Sequence, residues 1–318
     1  MEIYLINTGV RFDIFSILHN SNGLSMNELA KKVKVPEKYV KMWCDTAFAF
    51  KVLDKKGDKF LLKPELNDNL ADKNSTKYMG DFIRILASYL GKDMERQYEF
   101  IKAGKSFPFH EHDVEFIELV VNRGKQRGTI FIEKVIPLIE DFDKNLIDGL
   151  NVLDVGCGGG GFIKSLADKH NNSKFTGVEL DKKSVELAKK LVDNENAEFF
   201  QSSAHEIKFS EEFDAVTMNL VLHEVNPSYR GEIVSNIYKS LKKEGKLIIL
   251  EFPYPEKDKE FSDPNFAMGI YDQFFEIIWG TEHITWSQQK ELLQKCGFKN
   301  VEREFLGDNT YVLITADK

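Results

Sequence analysis

Residues 152–161 read VLDVGCGGGG: Val152, Leu153, Asp154 and Val155, then Gly156, Cys157 and the run Gly158 to Gly161. A short apolar run ending in clustered glycines predicts a buried strand that breaks into a tight loop and opens a helix. Glycines let the backbone turn sharply and let a ligand approach it closely at the carboxyl end of the strand. The same unit recurs around it. NVLDV (151–155), KFTGVEL (174–180), AEFFQ (197–201), FDAVTMN (213–219) and KLIILEF (246–252) are apolar runs of strand length. FIKSLADKH (162–170), KKSVELAKKLVDN (182–194) and SYRGEIVSNIYKSLKK (228–243) are helical stretches between most of them. This alternation predicts an α/β fold with a doubly wound, Rossmann-like sheet. The chain's end departs from it. A helix, SQQKELLQKCG (287–297), is followed by FKNVEREFL (298–306), the turn Gly307-Asp308-Asn309 and TYVLITA (310–316). That reads as an antiparallel hairpin closing a seven-stranded sheet at its edge.

Upstream the pattern is helical. Val10 to His19 predicts a first short helix, and Ser25 with Glu28 three residues on predicts a capping box opening a second. Pro36 opens a third, with Val40, Trp43, Cys44, Ala47 and Phe48 as its apolar residues. KVLDKKGDKFLLKP (51–64) then places two apolar pieces around Lys56-Gly57-Asp58, a β-hairpin. Together these predict a mainly helical winged-helix domain over 1–71. Residues 72–140 predict several amphipathic helices, with VEFIELVVNRGKQRGTIFIEKVIPLIEDF (114–142) interrupted near Gly124 and Gly128. They are expected to form a connector and substrate lid, leaving 141–318 as the α/β domain.

At 318 residues, two or more domains are expected. No apolar run reaches eighteen residues, so no membrane span is expected. The first residues lack a basic segment before an apolar one, which argues against a secretory signal. The three cysteines, Cys44, Cys157 and Cys296, are widely spaced without a C-x-x-C pair, which fits a reduced, cytoplasmic protein. The net charge of −8 excludes a general nucleic-acid coat. The winged helix is itself poorly suited to DNA: residues 1–70 carry eleven Lys and Arg against nine Asp and Glu, and its third helix shows Trp43 and Phe48 beside Lys38 and Lys41.

The glycine loop fits two patterns. Gly156, Gly158 and Gly161 match the G-x-G-x-x-G of dinucleotide enzymes, and Asp154, Gly156, Gly158 and Gly160 match D-x-G-x-G-x-G. Glu179, at the end of the second strand, suits either, because a carboxylate there can accept both ribose hydroxyls. The terminal hairpin is not a dinucleotide-fold feature. With it, the second pattern resembles the class I methyltransferases that depend on S-adenosyl-L-methionine. The resemblance implies that Asp154, Gly156, Gly158, Gly160 and Glu179 form the cofactor site, with Leu180 on the adenine face. FFQSSAHEI (199–207) resembles the adenine-contacting turn, Ser203 standing where the family often has Asp, with Ala204 beside it. FDAVTMNLVLHEV (213–225) resembles the next motif and implies Asn219 near the methionine end. Residues 25–62 resemble the winged-helix dimerisation domain of small-molecule O-methyltransferases, which implies a homodimer.

Transfer to oxygen needs positioning and a base. In the enzymes this chain resembles, a His followed by an acidic residue after the fourth strand is that base, which implies His223 with Glu224, and Glu251 as a group to orient it. The expected partner is a small, apolar or aromatic methyl acceptor, contacted by His110, Tyr271, Phe275 and Trp279; transfer to nitrogen or carbon stays open, as does a regulator that senses S-adenosylmethionine without catalysis. His110 and His112 flank Glu111, but no third ligand follows by spacing, so no metal is expected.

Overall fold

The computed structural model describes residues 2–106, 111–307 and 310–318. The chain divides into two compact units, Met1–Glu95 and Arg96–Lys318, so the division falls inside the stretch read as a connector.

The first unit contains α1 (Glu2–Arg11), α2 (Ile14–His19), β1 (Leu24–Ser25), α3 (Met26–Val33), α4 (Glu37–Ala49), β2 (Leu53–Lys56), β3 (Lys59–Leu62) and α5 (Gly80–Ile85). The helix expected from Val10 to His19 is two helices. Asp13 takes φ 55°, and a left-handed residue cannot continue the helical hydrogen-bond ladder. The capping box forms as expected: the Glu28 amide donates to Ser25 Oγ, and the Ser25 amide donates to Glu28 Oε2. The hairpin β2–β3 turns at Gly57 and β1 adds to it in the order β1-β3-β2. Phe15, Leu18, Leu29, Trp43 and Phe60 are buried in one core.

The second unit follows α6 (Gly91–Ala103), which runs across the division, with α7 (Val114–Ile130) and α8 (Phe142–Asp148). Then come β4 (Asn151–Val155), α9 (Gly161–Lys169), β5 (Lys174–Glu179), α10 (Lys182–Leu191), β6 (Ala197–Gln201), β7 (Phe213–Asn219), α11 (Arg230–Ser240) and β8 (Leu241–Glu251). The chain ends with α12 (Ala267–Glu276), α13 (Trp286–Lys295), β9 (Lys299–Leu306) and β10 (Tyr311–Asp317). The seven strands lie in the order β6-β5-β4-β7-β8-β10-β9. The first five run parallel, and β10 is antiparallel to both β8 and β9. Alternate residues of each strand enter opposite cores. Leu247 and Ile249 pack on one face with Ile233, Ile237 and Leu293; Ile248 and Leu250 pack on the other with Phe142 and Phe162. Helices on both faces explain why these strands read as continuous apolar runs. The order reverses between β4 and β7, and the crevice at the carboxyl ends there is where such sheets hold ligands.

Helix α7 is continuous, not interrupted at its glycines. Gly124 and Gly128 are where it packs against the start of α9: a Cβ on Gly128 would lie 2.6 Å from Ser165 Cβ. Glycine here shortens the distance between helices and does not break one. Among the described residues no helix is long and apolar enough to cross a membrane.

Candidate active site

The carboxyl ends of β4, β5 and β7 assemble the glycine loop and its neighbours. The amides of Gly156 and Cys157 both donate to Val178 O, at 2.8 and 3.1 Å, so the loop folds over the end of β5. Gly158 takes φ +52°, a conformation L residues avoid, and nothing lies within 4 Å of where its Cβ would be. Its amide donates to Glu179 Oε2 at 3.0 Å, while Asp181 N donates to Oε1 at 2.8 Å. Burial pushes the Glu179 carboxyl up, and the amides of Asp181, Gly158 and Leu180 hold it back down. Gly161 answers a different need: a Cβ there would sit 2.2 Å from Val121 O of α7.

Asp154 lies beneath this loop. It is buried, and Thr217 Oγ1 donates to its Oδ1 at 2.7 Å. Burial raises its carboxyl to about 7, against the lowering effects of Thr217 and Arg127. Leu180 is 67% exposed beside Glu179, an apolar side chain left facing outward at the crevice edge. Ser203 Oγ lies 2.6 Å from His205 Nδ1, so part of its hydrogen-bonding capacity is used within its own turn, where Ala204 is half-buried. At the end of β7 the Asn219 side chain is buried, and both its Oδ1 and Nδ2 lack a partner within the protein. A buried amide left unsatisfied is unfavourable by about 1–3 kcal/mol unless a ligand completes it. An open glycine cradle, a ribose-suited carboxylate, an exposed apolar face and this orphaned amide together fit an adenosyl amino-acid cofactor.

His223 follows on the turn after β7 and is 2% exposed. Its Nδ1 lies 2.8 and 2.9 Å from Glu251 Oε1 and Oε2, and its own amide donates to Oε2 at 3.2 Å. An ionised carboxylate only accepts, so Nδ1 carries the hydrogen and Nε2 is the nitrogen left for chemistry. Nε2 lies 3.3 Å from Glu276 Oε2 and 3.6 Å from Asp272 Oδ2. Burial alone would hold the imidazole down, but the Glu251 and Glu276 carboxylates override it and raise it well above the ordinary histidine range. Beside it the Glu224 carboxyl is raised by burial among its neighbours and by the Glu276 charge. Arg230 fixes the turn: its guanidinium donates to Val225 O, His223 O and Glu282 O.

The structure thus brings His223, Glu224 and Glu251 together. It adds residues that sequence reading passed over: Asp272, Glu276, His283 and Arg230. Asp272 and Glu276 had one visible signal, their i, i+4 spacing on α12, which puts two carboxylates on one face. The aromatic residues of that helix drew attention instead. Of these, Tyr271 is 59% exposed and Phe275 half-buried. Trp279 packs edge-on against His112 at 5.6 Å and Phe116 at 6.1 Å. His110 lies outside the described residues.

Fold and site together define a methyltransferase of the class I, S-adenosylmethionine-dependent kind. Residues 152–245 match the family described as Methyltransferase domain. The carboxy-S-adenosyl-L-methionine synthase of Staphylococcus epidermidis is 25% identical over 203 residues, which cover 56% of this chain and 87% of that protein. Two solved structures are similar in fold over nearly the whole length of the chain. A candidate O-methyltransferase from Nostoc punctiforme has a TM-score of 0.77 at 20% identity, over 99% of this chain and 94% of that one. Human N-acetylserotonin methyltransferase, solved with S-adenosylmethionine, has 0.76 at 16% identity, over 100% and 94%. At such identities the structures speak for the fold, and the matched domain for the chemistry. The protein is an S-adenosylmethionine-dependent methyltransferase, and its cofactor is S-adenosyl-L-methionine.

Proposed function

We propose that the protein methylates an oxygen of a small, apolar or aromatic acceptor, with His223 as the base. The observation that carries this is the fixed imidazole at the carboxyl end of β7. Glu251 holds Nδ1 through both oxygens, which leaves Nε2 as the proton acceptor of the neutral ring; the same carboxylates favour the imidazolium, so the active base form is the one populated as pH rises. The bound cofactor supplies an electrophilic methyl group. Glu179 is assigned to its ribose, Leu180, Ser203 and Ala204 to its adenine, and Asn219 to its methionine end. Gly156, Gly158 and Gly160 keep the backbone clear of it, and Asp154 supports their loop through Thr217. Tyr271, Phe275 and Trp279, together with His110, are proposed to contact the acceptor. The test is single-turnover transfer by His223→Ala against a panel of phenols once one is accepted, beside calorimetry with S-adenosylhomocysteine. A folded variant with unchanged rate removes His223 from the mechanism.

The first unit is proposed as a winged-helix dimerisation domain. Tyr39, Met42, Phe48 and Phe50 on and just after α4 are exposed, whereas Phe15 and Leu18 are spent in the unit's own core. Exposed apolar side chains suit a second copy of the chain better than a phosphate backbone. Of the exposed lysines of α4, Lys41 is bound to Asp45 and Lys38 lies over the Tyr39 ring. This favours an enzyme over a DNA-binding sensor of S-adenosylmethionine. A reducing, cytoplasmic setting is proposed on the three free thiols.

A further inference from the structure

The turn after β6 links Ser203, His205 and Tyr229 in one chain of side-chain contacts. The Ser202 amide donates to Glu179 O at 3.0 Å, and Gln201 Nε2 donates to Leu180 O at 3.4 Å. The turn therefore lies against the segment assigned to the cofactor's ribose and adenine. Ser203 follows, half-buried, with its Oγ 2.6 Å from His205 Nδ1. The His205 ring lies flat on the Tyr229 ring, centres 4.7 Å apart and planes 12° from parallel. Its backbone oxygen accepts from Asn236 Nδ2 of α11 at 2.8 Å. The imidazole is thus held in place by contacts that do not depend on Ser203.

The length of the Ser203–His205 bond decides its direction. A ring N–H keeps an oxygen acceptor at about 2.7–3.2 Å, whereas a hydroxyl donor approaches to about 2.5 Å. At 2.6 Å the hydroxyl donates, which puts the ring hydrogen on Nε2 and leaves Nδ1 as the acceptor. A serine hydroxyl has one hydrogen and two lone pairs. With that hydrogen committed to Nδ1, Ser203 Oγ can only accept from any other group. We propose that His205 is a positioning residue that locks Ser203 as an acceptor, so that the cofactor site selects a 6-amino purine over a 6-oxo purine.

The inference rests on the assignment of Ser203 to the adenine. The 6-amino group of adenine donates, and a locked acceptor meets it without first having to turn its own hydrogen away. Hypoxanthine carries an oxygen at that position, so two acceptors would face each other with no hydrogen between them, and both would lose their bonds to water. A serine free to rotate would instead donate to that oxygen and would tell the two bases apart poorly. Glu179 and Leu180 are assigned to groups that both nucleosides share, so this discrimination falls to Ser203.

Calorimetry on the full-length protein tests this with S-adenosylhomocysteine and S-inosylhomocysteine, which differ only at the 6-position and the adjoining N1–H. The wild type should bind the adenosyl form about 10-fold or more tightly than the inosyl form. His205→Phe keeps a ring for Tyr229 and removes the Nδ1 acceptor. It should cut the preference by about 10-fold, chiefly by strengthening inosyl binding. Ser203→Ala should cut the preference as well, and adding His205→Phe to it should change nothing further. His205→Leu repeats the measurement with a smaller side chain in case the phenyl ring disturbs the turn. A wild type without preference overturns the inference. So do His205 variants in which both affinities fall together, because His205 would then only support the turn. If Ser203→Ala lowers the preference and both His205 variants keep it, the lock is overturned and Ser203 stays on the adenine. A preference untouched by Ser203→Ala overturns the adenine assignment itself, and the lock with it.

Discussion

Replacing Asp154 by Asn removes one titrating group from beneath the glycine loop and tests the electrostatics of that region directly. Burial raises the Asp154 carboxyl from an ordinary 3.8 to about 7. The folded state therefore holds this proton more tightly than the unfolded chain. Stability from that preference is fully present below about pH 4 and is lost as pH rises through about 7. At 1.36 kcal/mol per pH unit the full span is worth about 4 kcal/mol. Asn cannot titrate, keeps the shape, and still offers an oxygen to the Thr217 hydroxyl. It forgoes the charge-assisted part of that bond and the attraction to Arg127, so a gain of about 2–4 kcal/mol over wild type is expected above pH 7. The gain should shrink steadily toward about pH 4 and vanish there. Paired urea denaturations of the two proteins at several pH values read the difference, in which titrating groups remote from Asp154 cancel. A difference that does not change with pH would show that Asp154 is ionised normally and that the reasoning fails. Cofactor affinity should survive the change, since Asp154 reaches the loop only from below.

Three further outcomes are expected. Glu179→Ala removes the acceptor of the Gly158 and Asp181 amides as well as the ribose partner, and calorimetry should show S-adenosylhomocysteine binding weakened about 100-fold; unaltered affinity would place the ribose elsewhere. His223→Ala should lower the single-turnover rate by roughly 10²–10⁴-fold with cofactor affinity retained, whereas parallel loss of both would assign His223 to support of the turn. Light scattering should give a dimer at micromolar concentration, and Met42→Glu with Phe48→Glu should make it monomeric; a monomeric wild type would remove the proposed role of the first unit.

What the sequence determined by itself is local and repetitive. VLDVGCGGGG had to leave a strand and turn, because only glycine accepts left-handed backbone at low energy, and it did so with Gly156, Gly158 and Gly160 at positive φ. Apolar runs buried on both faces announced the parallel strands, and the terminal hairpin was legible from two apolar runs around a turn. His223 and Glu251 were named from the resemblance, His223 just past such a strand and Glu251 at the end of the next. Tertiary structure decided the rest. Gly124 and Gly128 look like helix breakers until α9 is seen packed against them, since spacing along a chain does not reveal which small residues mark a close approach. Asp13 breaks a helix that propensity continues, through a single backbone angle that composition does not report. Above all, His223 meets Asp272, Glu276 and His283 only because α12 and the loop after it fold back over the carboxyl end of β7. Carboxylates and imidazoles far apart in sequence acquire a shared chemistry through distance alone, and distance is set by packing, not by pattern.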